Sequence, residues 1–290
     1  METASELIDK CASLKNVMGG DIPRLPFNEW NLYKINSDCG KVVDKYGLFN
    51  IIEKQFDMES SKPNLVVMAG FSTSSFCGTC EIIMMPSSIS ELSKKYRAVY
   101  IINYDEKVFK GALNKAFDDD KEANKDFNPE DAHSYESRLK LKINELRMLD
   151  EFGTVIDKIL RCPDLNLMNV HLLGKSIGCG LSLHTIIKSD IYTALFLAVP
   201  ANPTYMWPLD RLTDEKLKSI IIKCGWNKND DRDLYGVLSS NNPPYFMQSM
   251  RELSDKRKIP ELLAHYKQYE FDDGNKHEVY PGFINLIVNE

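Results

Sequence analysis

The pentapeptide from Gly174 to Gly178 (GKSIG) places a serine between two glycines, each two residues away. It follows a short apolar segment, Asn169 to Leu173, which predicts a buried strand, and it opens a helix predicted over Ile177 to Lys188. A tight turn from strand to helix would force Ser176 into a strained backbone conformation, and crowding there would leave room only for glycine at both flanking positions. The amide N–H of Ile177 would lie at the helix N-terminus, where it can stabilise an oxyanion. The pentapeptide therefore predicts a serine nucleophile.

Two other interpretations of the same residues compete with this one. Gly174, Lys175 and Ser176 also match the end of a phosphate-binding P-loop, but that motif requires a glycine where this chain has Asn169. A chance match to so short a pattern is the other alternative. The predicted strand before the serine and the predicted helix after it favour the nucleophile.

A serine nucleophile needs a base, and His277 is the best-placed histidine. It lies in the segment Gly274 to Glu278 (GNKHE), after the last predicted strand and before a terminal helix. A loop there could place an imidazole over the sheet edge. For the other four histidines, packing or surface roles are expected: His133, His171, His184 and His265.

The third member of such a set is an acid that orients the histidine, and the loop after the penultimate predicted strand supplies candidates. That strand is predicted over Ser219 to Cys224, and the loop behind it contains Asp230, Asp231 and Asp233. One buried carboxylate would fix the tautomer of the histidine. The position of the loop alone leaves the choice among the three open.

Short apolar strands that alternate with helices predict an α/β fold with a mostly parallel central sheet covered by helices on both faces. The remaining predicted strands and helices are strands over Trp30–Ile35, Gly47–Lys54, Asn64–Ala69, Ala98–Asn103, Tyr192–Val199 and Tyr266–Phe271, and helices over Ser88–Tyr96, Leu139–Ile159 and Pro281–Val288. Ser88 and Glu91 have the spacing of a capping box. We expect a single domain over 1–290, with a poorly patterned N-terminal part over 1–62. The polar segment 105–135 is expected to be a surface excursion, either a solvated acidic loop or a small cap.

In these features the sequence resembles the α/β-hydrolase superfamily over about residues 63 to 290. The resemblance rests on GKSIG, on the chain order serine, aspartate, histidine, and on GNKHE followed by an apolar helix. It implies the α/β-hydrolase fold and a catalytic triad of Ser176, Asp230 and His277, with Asp231 and then Asp233 as the next candidates for the acid. It also implies an oxyanion hole formed by the backbone N–H groups of Phe71 and Ile177.

Near Phe71 the sequence departs from the common family pattern, because Ala69 stands where many members have a histidine. Since the donors are backbone groups, alanine would leave the oxyanion hole intact.

Composition excludes several classes of protein. The formal net charge is −6, so the chain as a whole gives no reason to expect nucleic acid or anionic membranes as partners. No apolar run approaches the length of a membrane helix, and the N-terminal sequence has no signal-peptide pattern. The seven cysteines suit a reducing, cytoplasmic compartment better than a disulfide scaffold. Cys77 and Cys80 form a lone C-x-x-C, which leaves a redox pair or a metal site as minor alternatives to chance.

The chemistry expected from these residues is acyl transfer to water, with no cofactor and no metal. Substrates would be small molecules: carboxylic esters, thioesters or lipids. Residues 105–135 and the segment Pro203 to Thr213, with Tyr205, Met206 and Trp207, could cover an apolar acyl pocket or belong to ordinary packing. The alternatives are a non-catalytic binding or interaction protein of the same fold, and a peptidase.

Overall fold

Within the described residues eight short strands form one sheet, and its central strands are dominated by apolar residues. In this computed structural model the described residues are 31–33, 50–57, 61–70, 79–80, 82–104, 106–127, 139–163, 165–198, 208–227, 245–259, 267–271 and 281–289. The strands are β1 (Asn31–Tyr33), β2 (Asn50–Gln55), β3 (Asn64–Met68), β4 (Ala98–Asn103), β5 (Val170–Lys175), β6 (Tyr192–Ala198), β7 (Ile221–Asn227) and β8 (Lys267–Phe271). Every residue of β3 and β5 is buried, as expected for central strands covered on both faces.

The order of the strands in the sheet is β1-β2-β4-β3-β5-β6-β7-β8. β1 pairs antiparallel with β2, and β2 pairs antiparallel with β4. The other six strands, in the sheet order β4-β3-β5-β6-β7-β8, run parallel to one another. Gly174 of β5 pairs with Met68 of β3 and with Leu197 of β6, so these strands end at nearly the same level. The carboxyl ends of the central strands therefore form one edge, where sites in open α/β sheets lie.

Helices cover both faces of this sheet. They are α1 (Pro86–Lys95), α2 (Glu106–Ala123), α3 (Ile143–Leu160), α4 (Ile177–Ile186), α5 (Asp214–Ser219), α6 (Tyr245–Arg257) and α7 (Pro281–Asn289). A side chain on Gly174 would meet Gly178 and Cys179, so α4 lies on the face towards which that residue points. His171, which has the opposite parity in β5, contacts Tyr96 at the end of α1. The two helices therefore lie on opposite faces.

On each face of the sheet, helices also pack against one another. On the face of α4, α3 packs against α4 and α2 packs against α3. On the other face α7 packs against α1, where Lys95 Nζ donates a 2.7 Å hydrogen bond to the carbonyl oxygen of Ile287. The predicted α/β architecture, with its parallel sheet between two helical layers, is confirmed.

The polar segment 105–135 is not the expected acidic loop in the part described. Residues Glu106–Ala123 form α2, whose buried face contains Phe109, Leu113 and Ala116. These three apolar residues follow helical spacing, but the many charged residues between them hide the pattern. The solvated-loop interpretation is therefore wrong for this stretch.

The aspartate run within α2 has a structural role at one of its members. Asp120 is buried, and its carboxylate accepts hydrogen bonds from the backbone N–H of Asn144 (2.9 Å) and of Glu145 (3.0 Å) in the first turn of α3. Asp118 and Asp119 are exposed. Asp120 thus satisfies amides that α3 leaves without partners of its own.

The predicted capping box at Ser88 is wrong. The helix begins two residues earlier, at Pro86, and its N-cap is Met85. Ser88 is a buried residue inside the first turn. Proline at the first helical position, where its missing N–H costs nothing, sets the start instead.

Candidate active site

Ser176 lies at the turn between β5 and α4, and its backbone is strained. Its φ is 55° and its ψ is −122°, a combination outside the regions that a non-glycine residue ordinarily adopts. Its backbone N–H donates a 3.1 Å hydrogen bond to the carbonyl oxygen of Ala198, the last residue of β6. The predicted sharp turn at this serine is therefore present, and the neighbouring strand fixes it.

Ser176 is more accessible to solvent than the residues on either side of it. Every residue from Val170 to Lys175 is buried, and so is every residue from Ile177 to Ile186. Ser176 is half-buried and is the most exposed residue of this described stretch. The fold thus brings a single hydroxyl-bearing residue to the surface from within two fully buried elements.

Both glycines of the pentapeptide are required by close backbone contacts. A Cβ on Gly174 would lie 2.5 Å from the carbonyl oxygen of Gly178 and 2.6 Å from Cα of Cys179. A Cβ on Gly178 would lie 2.1 Å from the carbonyl oxygen of Met68 and 2.6 Å from that of Ala69. The predicted crowding at these two positions is confirmed, and it comes from α4 packing directly on β5 and on the end of β3.

The amide of Ile177 occupies the first position of α4. In that turn the helix supplies no acceptor for the first amides, and its dipole favours negative charge. The N–H of Cys179 is already bonded to the carbonyl oxygen of Ser176 at 2.9 Å. The amide of Ile177 therefore lies at the N-terminus of α4, as the sequence predicted, and its role as an oxyanion donor stays a prediction.

The segment that follows β3 approaches this turn from the other side. Ala69 lies beside Gly178, and the hydroxyl of Tyr104 contacts the carbonyl oxygens of both Ala69 and Gly70, the last two described residues of this segment. The distances are 2.8 Å to Ala69 and 2.7 Å to Gly70. Sequence analysis missed Tyr104, although its place directly after the predicted strand Ala98–Asn103 was a signal that could have identified it.

Three of the predicted site residues, Phe71, Asp230 and His277, lie outside the described residues, as do the alternative acids Asp231 and Asp233. The structure therefore does not test whether they meet Ser176. The strands that precede them end at the same sheet edge as β5, because Lys175 pairs with Ala198, Ala198 with Gly225, and Gly225 with Tyr269. Tyr205, Met206 and Trp207 also lie outside the described residues.

Two of the four other histidines are described, and both have packing roles. His171 is buried with its Nδ1 3.1 Å from the hydroxyl of Tyr96, and burial lowers its pKa to about 4, helped by the charge of Lys95. His133 and His265 lie outside the described residues.

His184 belongs to an ionic cluster between α3 and α4. Its Nδ1 lies 3.4 Å from Asp150 Oδ1, which Lys188 (2.7 Å) and Arg211 (3.2 Å) also contact. The hydrogen bond from His184 and the charge of Lys188 lower the pKa of Asp150 well below its usual range, against an opposing effect of burial. Burial lowers the pKa of His184 itself. The cluster joins two helices on one face of the sheet.

Cys80, one half of the C-x-x-C, is buried with a free thiol. Burial raises the pKa of this thiol far above its ordinary value, which disfavours the thiolate that redox exchange or metal binding would need. Its counterpart Cys77 lies outside the described residues.

Comparison with known proteins finds similarity among solved structures alone. No protein-family model matches the sequence, and a comparison with curated proteins gives no match. A dienelactone hydrolase from Anabaena variabilis is 10% identical, with 90% of this chain and 94% of that one covered and a TM-score of 0.43. The siderophore hydrolase EstA from Aspergillus nidulans is 13% identical, with 93% and 98% covered and a TM-score of 0.46. The enterobactin and salmochelin hydrolase IroE is 12% identical, with 90% and 93% covered and a TM-score of 0.48.

Proposed function

We propose that this chain is a serine hydrolase of the α/β-hydrolase fold that cleaves a carboxylic ester, a thioester or a lipid. The observation that carries the proposal is the backbone of Ser176, with φ 55° and ψ −122°, at the one accessible point between a buried strand and a buried helix. Strain of this kind persists where the surrounding structure imposes it, and it clusters at functional sites. A turn that merely joined two elements would have no need to present a hydroxyl in this way.

In the proposed mechanism His277 removes the hydroxyl proton of Ser176 while the serine oxygen attacks the carbonyl carbon of the substrate. The negative oxygen of the tetrahedral intermediate accepts hydrogen bonds from the amides of Phe71 and Ile177. When this intermediate collapses, the bond to the leaving group breaks and His277 gives its proton to that group. Water then attacks the acyl-enzyme by the same steps and releases the acid, while Asp230 orients the imidazole throughout.

The spacing of the strands supports this assignment of the base. β8 lies three strands from β5 in the sheet, about 14 Å away at about 4.8 Å per spacing. His277 follows Phe271, the end of β8, by six residues, and an extended segment of that length spans up to about 20 Å. The chain between β8 and His277 is therefore long enough for the imidazole to reach Ser176.

The same reasoning supports an acid in the loop after β7. That strand lies two spacings from β5, and Asp230 follows its last residue, Asn227, by three residues. Asp231 and Asp233 are within similar reach. The choice of Asp230 rests on the family resemblance.

Two further parts of the proposal concern the surroundings of the enzyme. A reducing, cytoplasmic location is supported by the four described cysteines Cys80, Cys162, Cys179 and Cys224, which are buried as reduced thiols rather than joined in disulfides. Small-molecule substrates are proposed, and nucleic acid is not among the partners. None of the helices in the described ranges has the length and apolarity needed to cross a bilayer.

The test is labelling with an alkyl fluorophosphonate, which reacts covalently with an activated serine. The wild-type protein should be labelled, Ser176→Ala should not be, and Ser182→Ala should be labelled like the wild type. Ser182 is a matched control because it lies in α4, six residues after Ser176, but is fully buried. Failure of the folded wild type to label would favour the non-catalytic binding protein.

A panel of p-nitrophenyl esters of increasing chain length then identifies the acyl group. Turnover of short esters alone indicates an esterase, and a preference for long chains indicates a lipase. Separate Asp230→Asn, Asp231→Asn and Asp233→Asn variants identify the acid. If Asp231→Asn abolishes turnover while Asp230→Asn does not, the assignment of Asp230 is wrong.

A further inference from the structure

The hydroxyl of Tyr104 lies where two successive backbone carbonyl groups converge at the end of β3. It is 2.8 Å from the oxygen of Ala69 and 2.7 Å from that of Gly70, so its single hydrogen is shared between them. From this geometry we infer that Tyr104 is a positioning residue that orients the second oxyanion donor. The inference rests on the proposed function, since it concerns the same site.

The reason is the covalent structure of the peptide group. The carbonyl of Gly70 and the N–H of Phe71 belong to one planar unit, in which the two bonds point in opposite directions when the peptide is trans. A hydrogen bond that fixes the Gly70 oxygen therefore fixes the direction of the Phe71 amide. Donation to the carbonyl also polarises the peptide, which makes its N–H a stronger donor.

The ring of Tyr104 is itself held in place by aromatic packing. The residue is buried, its ring centroid is 4.6 Å from that of Phe109, and Phe109 meets Phe152 edge-to-face at 4.9 Å. These contacts connect the hydroxyl to α2 and α3. The hydroxyl is consequently fixed before substrate arrives, which is the condition for a preorganised oxyanion hole.

The same short segment is fixed from a second direction. Gly178 packs against the carbonyl groups of Met68 and Ala69 so closely that it leaves no space for a Cβ. Ala69 thus lies between the first turn of α4, which carries Ile177, and the hydroxyl of Tyr104, and Gly70 follows it directly. The packing of α4 against the end of β3 therefore links the positions of the two proposed donors, the amides of Ile177 and Phe71.

Tyr104→Phe tests the inference, because it removes the hydroxyl and keeps the ring. Loss of one oxyanion donor lowers kcat by about 10² to 10³; the amide remains present but less well oriented, so a loss of about 10-fold to 100-fold is expected. KM for a p-nitrophenyl ester should stay within about 2-fold, since the oxyanion forms only in the transition state. The inhibition constant of a trifluoromethyl ketone, whose adduct with serine carries the oxyanion, should rise by the same factor as kcat falls.

Tyr192→Phe is the matched control. Tyr192 is fully buried at the start of β6, on the sheet edge opposite Ser176, and its hydroxyl donates a 2.8 Å hydrogen bond to Asp157 of α3. It should lower the urea midpoint to a similar extent and leave kcat unchanged. A second variant, Phe109→Leu, retains the Tyr104 hydroxyl but loosens its ring, and should lower kcat by a smaller factor at constant KM.

The outcomes are distinguishable. If Tyr104→Phe has the kcat of the wild type, changes KM alone, or leaves ketone inhibition unchanged, Tyr104 has no positioning role. An equal loss of kcat in the Tyr192→Phe control would likewise overturn the inference, because the effect would then be one of general stability. A folded wild-type protein that neither reacts with the fluorophosphonate nor hydrolyses esters would overturn the proposed function, and this inference with it.

Discussion

Replacing Gly178 with alanine probes the contact on which both sides of the candidate site depend. The new Cβ would lie 2.1 Å from the carbonyl oxygen of Met68, whereas ordinary contact begins at 3.4 Å, so the atoms must separate by 1.3 Å. Met68 lies in β3, which is paired with β4 on one side and β5 on the other, so its backbone cannot move alone. The separation must therefore displace the start of α4 or the end of β3.

The expected cost follows from two opposing effects. Overpacking a dense core costs about 1–3 kcal/mol, and the backbone nature of this contact puts it at the upper end. Alanine in place of glycine within a helix returns up to about 1 kcal/mol. Gly178→Ala should therefore lower the free energy of unfolding by about 2 kcal/mol, measured by urea denaturation followed by circular dichroism.

The same displacement should impair the chemistry. A shift of about 1 Å in a positioned group can cost about 10²-fold in rate, so the rate of fluorophosphonate labelling of Ser176 should fall by about that factor. Gly111→Ala is the control, because Gly111 lies in α2 with nothing within 4 Å of its Cβ position. It should gain about 0.5–1 kcal/mol and label normally. Wild-type stability together with wild-type labelling in Gly178→Ala would refute the close packing of α4 on β3.

Three further predictions concern strain, capping and acid stability. Ser176→Gly should unfold with a free energy about 1 kcal/mol higher than Ser176→Ala in urea titrations, because glycine relieves the strained backbone and alanine does not; equal values would argue against strain. Asp120→Ala should lose about 2 kcal/mol by the same measurement, through its lost bonds to the first turn of α3, whereas exposed Asp119→Ala should change stability by less than about 0.5 kcal/mol. The folded pKa of His171, about 4, lies below its unfolded value of about 6.5, so its neutral form stabilises the fold above pH 6.5 and that stability is lost as the pH falls towards 4, by up to about 3 kcal/mol. The difference in urea midpoint between pH 7.5 and pH 4.5 should accordingly be smaller in His171→Gln than in the wild type, and an equal difference would refute this assignment.

Much of the fold could be predicted because its strands are continuous apolar runs with clear ends. Asn64–Ala69 and Ala98–Asn103 differ from the observed strands by one residue at most, and the expected α/β architecture with a mostly parallel sheet is confirmed. The tight turn at Ser176 could be predicted because its sequence signal is local: the serine and both glycines lie within five residues, although the end of β3 is what crowds Gly178.

The parts that could not be predicted depend on contacts distant in sequence. The sequence did not predict helix α2, because its apolar residues are few and their helical spacing becomes informative only when α3 is seen to pack against them. Asp120 belongs to an acidic run whose members look alike in the sequence, and only the position of Asn144 distinguishes it from Asp119. Tyr104 was missed for the same reason, since a hydroxyl 34 residues from Gly70 reveals its partner only after the sheet has formed. The assignments of Phe71, Asp230 and His277 remain predictions.

The strain at Ser176 and the rigidity around it are physically connected. Holding a non-glycine residue at φ 55° and ψ −122° costs about 1–3 kcal/mol, so Ser176 would relax if either neighbouring element could shift. Neither element can shift easily, because β5 is buried between β3 and β6, and α4 is buried along its whole length. The stability of these two elements is what maintains the exposed serine, so variants that loosen them should lose reactivity at Ser176 before they lose the fold. Labelling rates measured across a series of core variants in α4, beside their urea midpoints, would reveal that order, and a labelling rate that fell only in step with the folded fraction would contradict it.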